Sequence, residues 1–259
     1  MNISILSIIL GLLLLALPAY LLARLDMPLL VRAAKATVRM MIQMAVVGAL
    51  LWALWQTETL WVSLLWVALT IVAAAWLLVK RTRLQQKLLF MPVCGGLLAG
   101  VLVVGAYLLL VLRLEQPFST RWIVPVGGVL LAHVLTTNTR AVSAYFEALR
   151  TDTLSYYTQL GNGASRLVAL TPYVRQALRS MMEPTVSSLA VMGLFALPML
   201  LAGLLLGGVT PVQATILFVL LVVAGITASV LALVVTLWLA DKRVFNKRGE
   251  LKDLKNDKK

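Results

Sequence analysis

Few residues in this chain could do chemistry. His133, Thr136, Thr137 and Arg140 recur at i, i+3, i+4 and i+7, which puts them on one face of a helix. Such a face serves either a local hydrogen-bond network inside a bundle or the lining of a translocation path, because polar groups are expensive against lipid. Met40, Met41 and Met44 with Gln43 form a second cluster, soft thioether donors to a metal or flexible packing groups in a chain holding ten methionines. Cys94 is the sole cysteine and excludes a disulfide framework or a multi-cysteine metal site; as a small residue it suits a buried position. Gly163-Ala164-Ser165 has the outline of a hydrolase nucleophile turn, but Arg166 follows it and the single histidine lies elsewhere. The chain has no H-E-x-x-H, no paired intramembrane aspartates and no G-x-x-x-x-G-K-[ST] loop. It is read as a non-enzyme without a cofactor.

The elements that must position these residues follow from composition. Of 259 residues, 61% are hydrophobic and 13% charged, with a mean hydropathy of +0.95, which excludes a soluble enzyme, a disordered regulator and a nucleic-acid-binding domain. About 20 apolar residues make one helical span. Charge-free runs predict seven, at 3–23, 40–57, 60–79, 88–112, 122–139, 184–206 and 212–240. The fold class is therefore all-α, a polytopic membrane bundle of about seven transmembrane helices with a helical cytoplasmic loop at 140–183 and a basic tail at 241–259. Before the second span, Arg32, Lys35 and Arg39 share one helix face, either as a solvated helix start or as an interfacial amphipathic helix. The first run is not a secretory signal, since its first cation, Arg24, follows the apolar core instead of preceding it.

Charge placement predicts orientation. With the N-terminus outside, the inner segments hold 21 of the 23 Lys and Arg residues, leaving only Arg113 and Arg121 outside, as expected from the positive-inside rule. The tail is then cytoplasmic, and its lysines meet anionic lipid and not nucleic acid. No Asp, Glu, Lys or Arg lies in the middle of a predicted span, so a carrier driven by protons would lack the buried carboxylate such machines use. No inverted repeat relates two halves of the chain.

The inner loop is built like a docking element. Residues 141–157 contain no Pro or Gly and extend the fifth span as helix, Gly161-Asn162-Gly163 interrupts it, and a second helix runs from Ser165 to Met182, with Pro172 marking a kink or a new start. The sixth span then opens at Pro184. A helix, break and helix on the cytoplasmic side fits either a separate subunit seated there or a basic loop lying on headgroups.

The chain resembles the iron-export ABC permease family of the FetB type, which includes plant aluminium-sensitivity membrane subunits. The likeness rests on Val31-Arg32-Ala33, Gln43 and Gly48; Ala73-Ala74-Ala75-Trp76 before Lys80-Arg81; Pro125 and Gly128; Gly163-Ala164-Ser165; and Arg175 and Arg179. It is densest from Pro184-Thr185 through Gly193-Leu194, Leu197-Pro198, Gly203, Gly208, Pro211 and Ala214. Met199-Leu200-Leu201 stands where the family has Gly-Met-Met, Leu217-Phe218 where it has Tyr-Gln, His133 where it has Asn, and Arg166 where it has Pro.

The resemblance implies a single ABC transporter transmembrane domain over 1–259. The expected function is the permease subunit of an exporter, with iron or another metal as cargo, in a bacterial inner membrane. Two permease copies would pair with two ABC ATPase subunits, which hydrolyse the ATP. Gly161, Gly163, Ala164, Ser165 and Arg166 are expected in the ATPase-coupling loop, and His133, Thr136, Thr137, Met40, Gln43 and Met44 along the substrate path. The other functions open to such a chain are an ATP-independent transporter or channel and a non-transporting membrane scaffold. Gly96/Gly100 and Gly203/Gly207 are small-residue pairs that permit close helix approach, within one chain or between two.

Overall fold

The computed structural model describes residues 11, 13–57, 59–82, 84–112, 116, 118–193 and 197–246, and among them the regular structure is helical throughout. Residues 3–10 and 12 of the first predicted span lie outside the described residues, as does the tail beyond 246. Residues 1–57 and 58–259 form two separate compact units.

The first unit holds α1 (Ala16–Leu25) and α2 (Met27–Thr57). Asp26 separates them: its carboxylate Oδ1 accepts the Leu29 amide at 3.0 Å, satisfying one of the orphan N–H groups at the start of α2. Pro28 falls in that first turn, where a missing N–H costs nothing. The second span thus has no separate amphipathic leader. Arg32, Lys35 and Arg39 ride on one continuous helix of 31 residues, because charges limit burial in a bilayer but do not stop helix propagation.

The second unit holds α3 (Leu60–Thr82), α4 (Gln86–Leu98), a π-type turn over Ala99–Val103, α5 (Val104–Val111), α6 (Thr120–Thr151), α7 (Thr153–Gly161), α8 (Arg166–Val191), α9 (Met199–Leu206) and α10 (Pro211–Val244). Its centre is five helices: α10 packs on α4 and α6, α3 packs on the same two, and α8 lies along α6. Ile71, Ala75, Leu89, Leu130, Val134, Ala228 and Ala232 are fully buried there. The closest approach is between α4 and α10. A Cβ on Gly96 or Gly100 would meet the carbonyl oxygens of Ala232 and Ala228, respectively, at 2.5 Å, so the two glycines form a notch that admits the neighbouring backbone. Gly203, by contrast, has nothing within 4 Å of where a Cβ would stand.

Five helices among the described residues are long and apolar enough to cross a membrane: Met27–Gln56, Leu60–Thr82, Gln86–Val111, Thr120–Thr151 and Pro211–Val244. The expected count of seven is not confirmed among the described residues, which leave out parts of two of the predicted spans. The run 184–206, expected as one span, is interrupted. Helix α8 passes unbroken through Pro172 and Pro184, then stops where Met192 turns extended and Gly193 takes φ 85°, and α9 starts afresh after Pro198. A left-handed glycine ends a helix without a Cβ penalty, and a proline, with φ already fixed near the helical value and no N–H to lose, suits the start of the next one. Pro172, inside α8, marks no new start.

Candidate functional site

The loop between α6 and α8 is a compact corner held by named bonds. Helix α6 continues the fifth predicted span to Thr151. At about 48 Å for 32 residues it is longer than a hydrocarbon core of about 30 Å. Asp152 breaks it, and the Tyr173 hydroxyl of α8 donates to the Asp152 carbonyl at 2.8 Å, pinning α8 to the corner. Helix α7 then ends in a Schellman turn: the Ala164 amide donates to the Gln159 carbonyl and the Gly163 amide to the Leu160 carbonyl, each at 3.0 Å. Gly163 holds φ 84°, a conformation L side chains disfavour. Ser165 caps α8, its Oγ accepting the Val168 amide at 3.4 Å.

Around that turn the side chains divide. Leu154, Leu167 and Val168 are 78%, 82% and 58% exposed, apolar groups in a segment too polar to be a span. Tyr156 is fully buried, its ring 5.6 Å from that of Phe245 just past α10. Burial pushes the Tyr156 phenol above its ordinary range, while the Arg166 guanidinium beside it works the other way. Burial likewise raises Tyr173, so both rings stay neutral near physiological pH. Gly161, Gly163 and Ser165 are exposed and Ala164 is half-buried. Arg166 turns inward, with Nη2 2.6 Å from Asp241 Oδ1.

A second set of polar groups lies on the seam between α6 and α10. Thr137 Oγ1 donates to Ser229 Oγ at 2.9 Å, Ser229 Oγ donates to the Gly225 carbonyl at 2.8 Å, and Asn138 Nδ2 donates to the Ser229 carbonyl at 3.1 Å. The imidazole of His133 packs against Gly225, where a Cβ would come within 3.1 Å of it. His133 Nε2 and Asn138 Oδ1 are buried without a hydrogen-bond partner. Thr136 faces away, exposed, its hydroxyl turned back onto the Ala132 carbonyl. Of the expected helix face, then, His133 and Thr137 come together on the seam, while Thr136 and Arg140 point outward. Met40, Gln43 and Met44 belong to the first unit, all exposed on α2. No group of three or more His, Cys, Asp or Glu side chains able to hold a metal occurs among the described residues.

Asn138 and Ser229 were not singled out from the sequence. The signal was there for Asn138, the polar residue after Thr136-Thr137 in an apolar run. Ser229 had none, because its partners lie about 90 positions away.

A bundle of apolar helices, a sealed polar seam and an exposed helical corner define a multi-pass membrane protein. Residues 5–245 match the uncharacterised protein family UPF0014, and the chain belongs to that family. It is 28% identical to the UPF0014 membrane protein slr1647 of Synechocystis sp., over 82% of this chain and 83% of that one. It is 25% identical to the "Probable iron export permease protein FetB" of Escherichia coli, over 82% and 81% of the two chains. The Arabidopsis thaliana protein ALUMINUM SENSITIVE 3 is 25% identical over 60% of this chain and 56% of its own length. No solved structure matches.

Proposed function

We propose that this chain is the membrane-spanning permease subunit of an ABC exporter, with a metal ion such as iron as cargo and a separate ATPase as its energy source. The observation that carries the reading is the α7–α8 corner, which offers exposed Leu154, Leu167 and Val168 on either side of a rigid glycine turn. Exposed apolar groups outside the spans call for a cover, and a partner subunit that moves on ATP binding would supply it. The relative named as an iron export permease supports the transport role. Two permease copies with two ATPases in a bacterial inner membrane complete the proposal, within a single transmembrane domain over 1–259.

The orientation is N-terminus outside and C-terminus in the cytoplasm. Trp76 with Lys80 at the end of α3 and Trp238 with Lys242 at the end of α10 repeat one device, an ammonium 4.6 Å and 3.8 Å from the indole ring centre one turn back. Such pairs suit a headgroup boundary, and both fall on the side that the charge count places inside. A reporter fused after Lys259 should be active in its cytoplasmic form; activity only in the periplasm would reverse the topology.

The corner itself is tested at Gly163. A β-branched residue there must adopt a left-handed conformation costing roughly 1–2 kcal/mol, and the Schellman turn should open. Gly163→Val should cut co-purification with the cognate ABC ATPase at least tenfold while membrane insertion stays normal. Unchanged association and unchanged ATP hydrolysis would favour a loop that merely rests on headgroups.

A second reading draws on the unpartnered His133 Nε2 and Asn138 Oδ1 of the seam: an ATP-independent transporter or channel that uses this polar line. Cargo flux in liposomes without ATPase or ATP would establish it.

A further inference from the structure

Arg166 is the first residue of α8, directly after the glycine turn, yet its guanidinium leaves the exposed corner and reaches the end of α10. Nη2 lies 2.6 Å from Asp241 Oδ1 and also donates to the Asp241 carbonyl at 3.0 Å. The guanidinium carbon stands 4.2 Å from the centre of the Phe245 ring, the same ring that the buried Tyr156 of α7 approaches. Three helix ends thus meet at one place: α7 through Tyr156, α8 through Arg166, and α10 through Asp241 and Phe245.

Local stability does not account for these charges. A cation at a helix N-terminus and an anion at a helix C-terminus each oppose the helix dipole, and here Arg166 starts α8 while Asp241 lies in the last turn of α10. An ion pair whose side chains are both 33% exposed adds little to folding. What the pair does supply is orientation, since a planar guanidinium held by a carboxylate and stacked on a ring fixes direction as well as distance. Helix α10 in turn carries Gly225 and Ser229 on the polar seam and Ala228 and Ala232 in the glycine notch of α4.

We propose that Arg166 is a positioning residue, latched to Asp241 and Phe245, which makes the α7–α8 corner and the inner end of α10 move as one body, so that displacement of the corner is delivered to the polar seam. The proposal rests on the reading of the corner as the ATPase contact.

The test places spin labels at Thr158→Cys on α7 and Val234→Cys on α10, both exposed, in a Cys94→Ala background, diluted with unlabelled chains and reconstituted with the ATPase. In the otherwise wild-type protein the distance distribution should be narrow and unchanged by ADP-vanadate. Arg166→Ala should broaden it at least twofold and make it shift with nucleotide, with ATPase co-purification retained. The exchange Arg166→Asp with Asp241→Arg restores the pair and puts each charge at the helix end that favours it, so it should narrow the distribution again. A merely structural role would leave the exchange no better than the single change. A narrow, nucleotide-independent distribution in Arg166→Ala, or no recovery in the exchange, overturns the latch. Failure of the wild-type chain to recruit the ATPase overturns only the proposed function, because the width of the distribution reads the latch without nucleotide.

Discussion

Gly100→Val should destabilise the bundle more than any other single change to its glycines except Gly96→Val. A Cβ at this position would stand 2.5 Å from the Ala228 carbonyl oxygen and 2.8 Å from the Ala232 Cβ. The first obstacle is backbone, so relief requires α10 to move away from α4, and α10 is also bonded to α6 through Ser229. Overpacking of this kind costs about 3 kcal/mol or more when no rotamer can yield, against a total stability of roughly 5–15 kcal/mol. For a chain of this size that corresponds to a fall in melting temperature of roughly 6–12 °C, measurable by thermal unfolding of the detergent-solubilised protein. Gly96→Val should behave alike, since its Cβ would meet the Ala232 carbonyl oxygen. Gly128→Ala is the control: nothing lies within 4 Å of its Cβ position, and within α6 the change should be neutral or add up to about 1 kcal/mol. Equal losses at Gly100 and Gly128 would mean that the notch is not where these helices meet.

The other large effect is expected at Asn138. It is 1% exposed, and its amide donates to the Ser229 carbonyl at 3.1 Å. Asn138→Asp removes that donor and sets a carboxylate against a carbonyl oxygen. Arg140 and Arg150, further along the same helix, are exposed, so no cation faces the new charge. An unpaired charge near membrane depth costs roughly 2.5–3.5 kcal/mol on insertion scales, and the lost hydrogen bond about 1 kcal/mol more. Asn138→Leu loses the bond but buries no charge, and should cost less. A protonated carboxyl carries no charge to bury, so the loss in Asn138→Asp should be largest at neutral to alkaline pH and smaller in acid, whereas the loss in Asn138→Leu should not depend on pH. Unfolding midpoints for the two variants at pH 5 and pH 8 decide it. Equal losses in Asn138→Asp and Asn138→Leu at pH 8 would show that the amide donor is not buried in a dry seam.

Much of this fold is written in one-dimensional charge and hydropathy. Lys80 and Arg81 close α3, and the long apolar run 212–240 is α10 with one residue added at its start and about a turn at its end. What hydropathy cannot see is backbone. The stretch from 184 to 206 reads as one span because its composition is apolar throughout, yet Gly193 and Pro198 divide it. The reverse error occurs at α2: Arg32, Lys35 and Arg39 delay the apolar run by a dozen residues but not the helix, which begins at Met27. The candidate site was partly legible for a similar reason. Spacing places His133, Thr136 and Thr137 on one face, but only packing against Gly225 and Ser229 decides which edge of that face meets α10, and that sends Thr136 outward. Arg166 stands beside the residues of the glycine turn in sequence and turns away from them in space, because the side-chain direction of a helix's first residue depends on what lies across from it.

In the proposed orientation the two tryptophan–lysine pairs hold α3 and α10 at one common headgroup boundary. Helix α3 runs 23 residues from Leu60 to Thr82, about 34 Å, scarcely more than the hydrocarbon of an average bilayer. Helix α10, with 34 residues, has about 50 Å and turns to spare. With Lys80 and Lys242 each drawn to headgroups, mismatch falls unequally on the bundle: a thicker leaflet leaves α10 immersed but stretches the surroundings of α3, and a thinner one is met by tilt. Because α3 and α10 both grip α4 and α6, such tilt cannot be taken up by one helix alone. The lipid composition around this protein is therefore a mechanical load on the whole bundle, with the shortest helix setting the gauge.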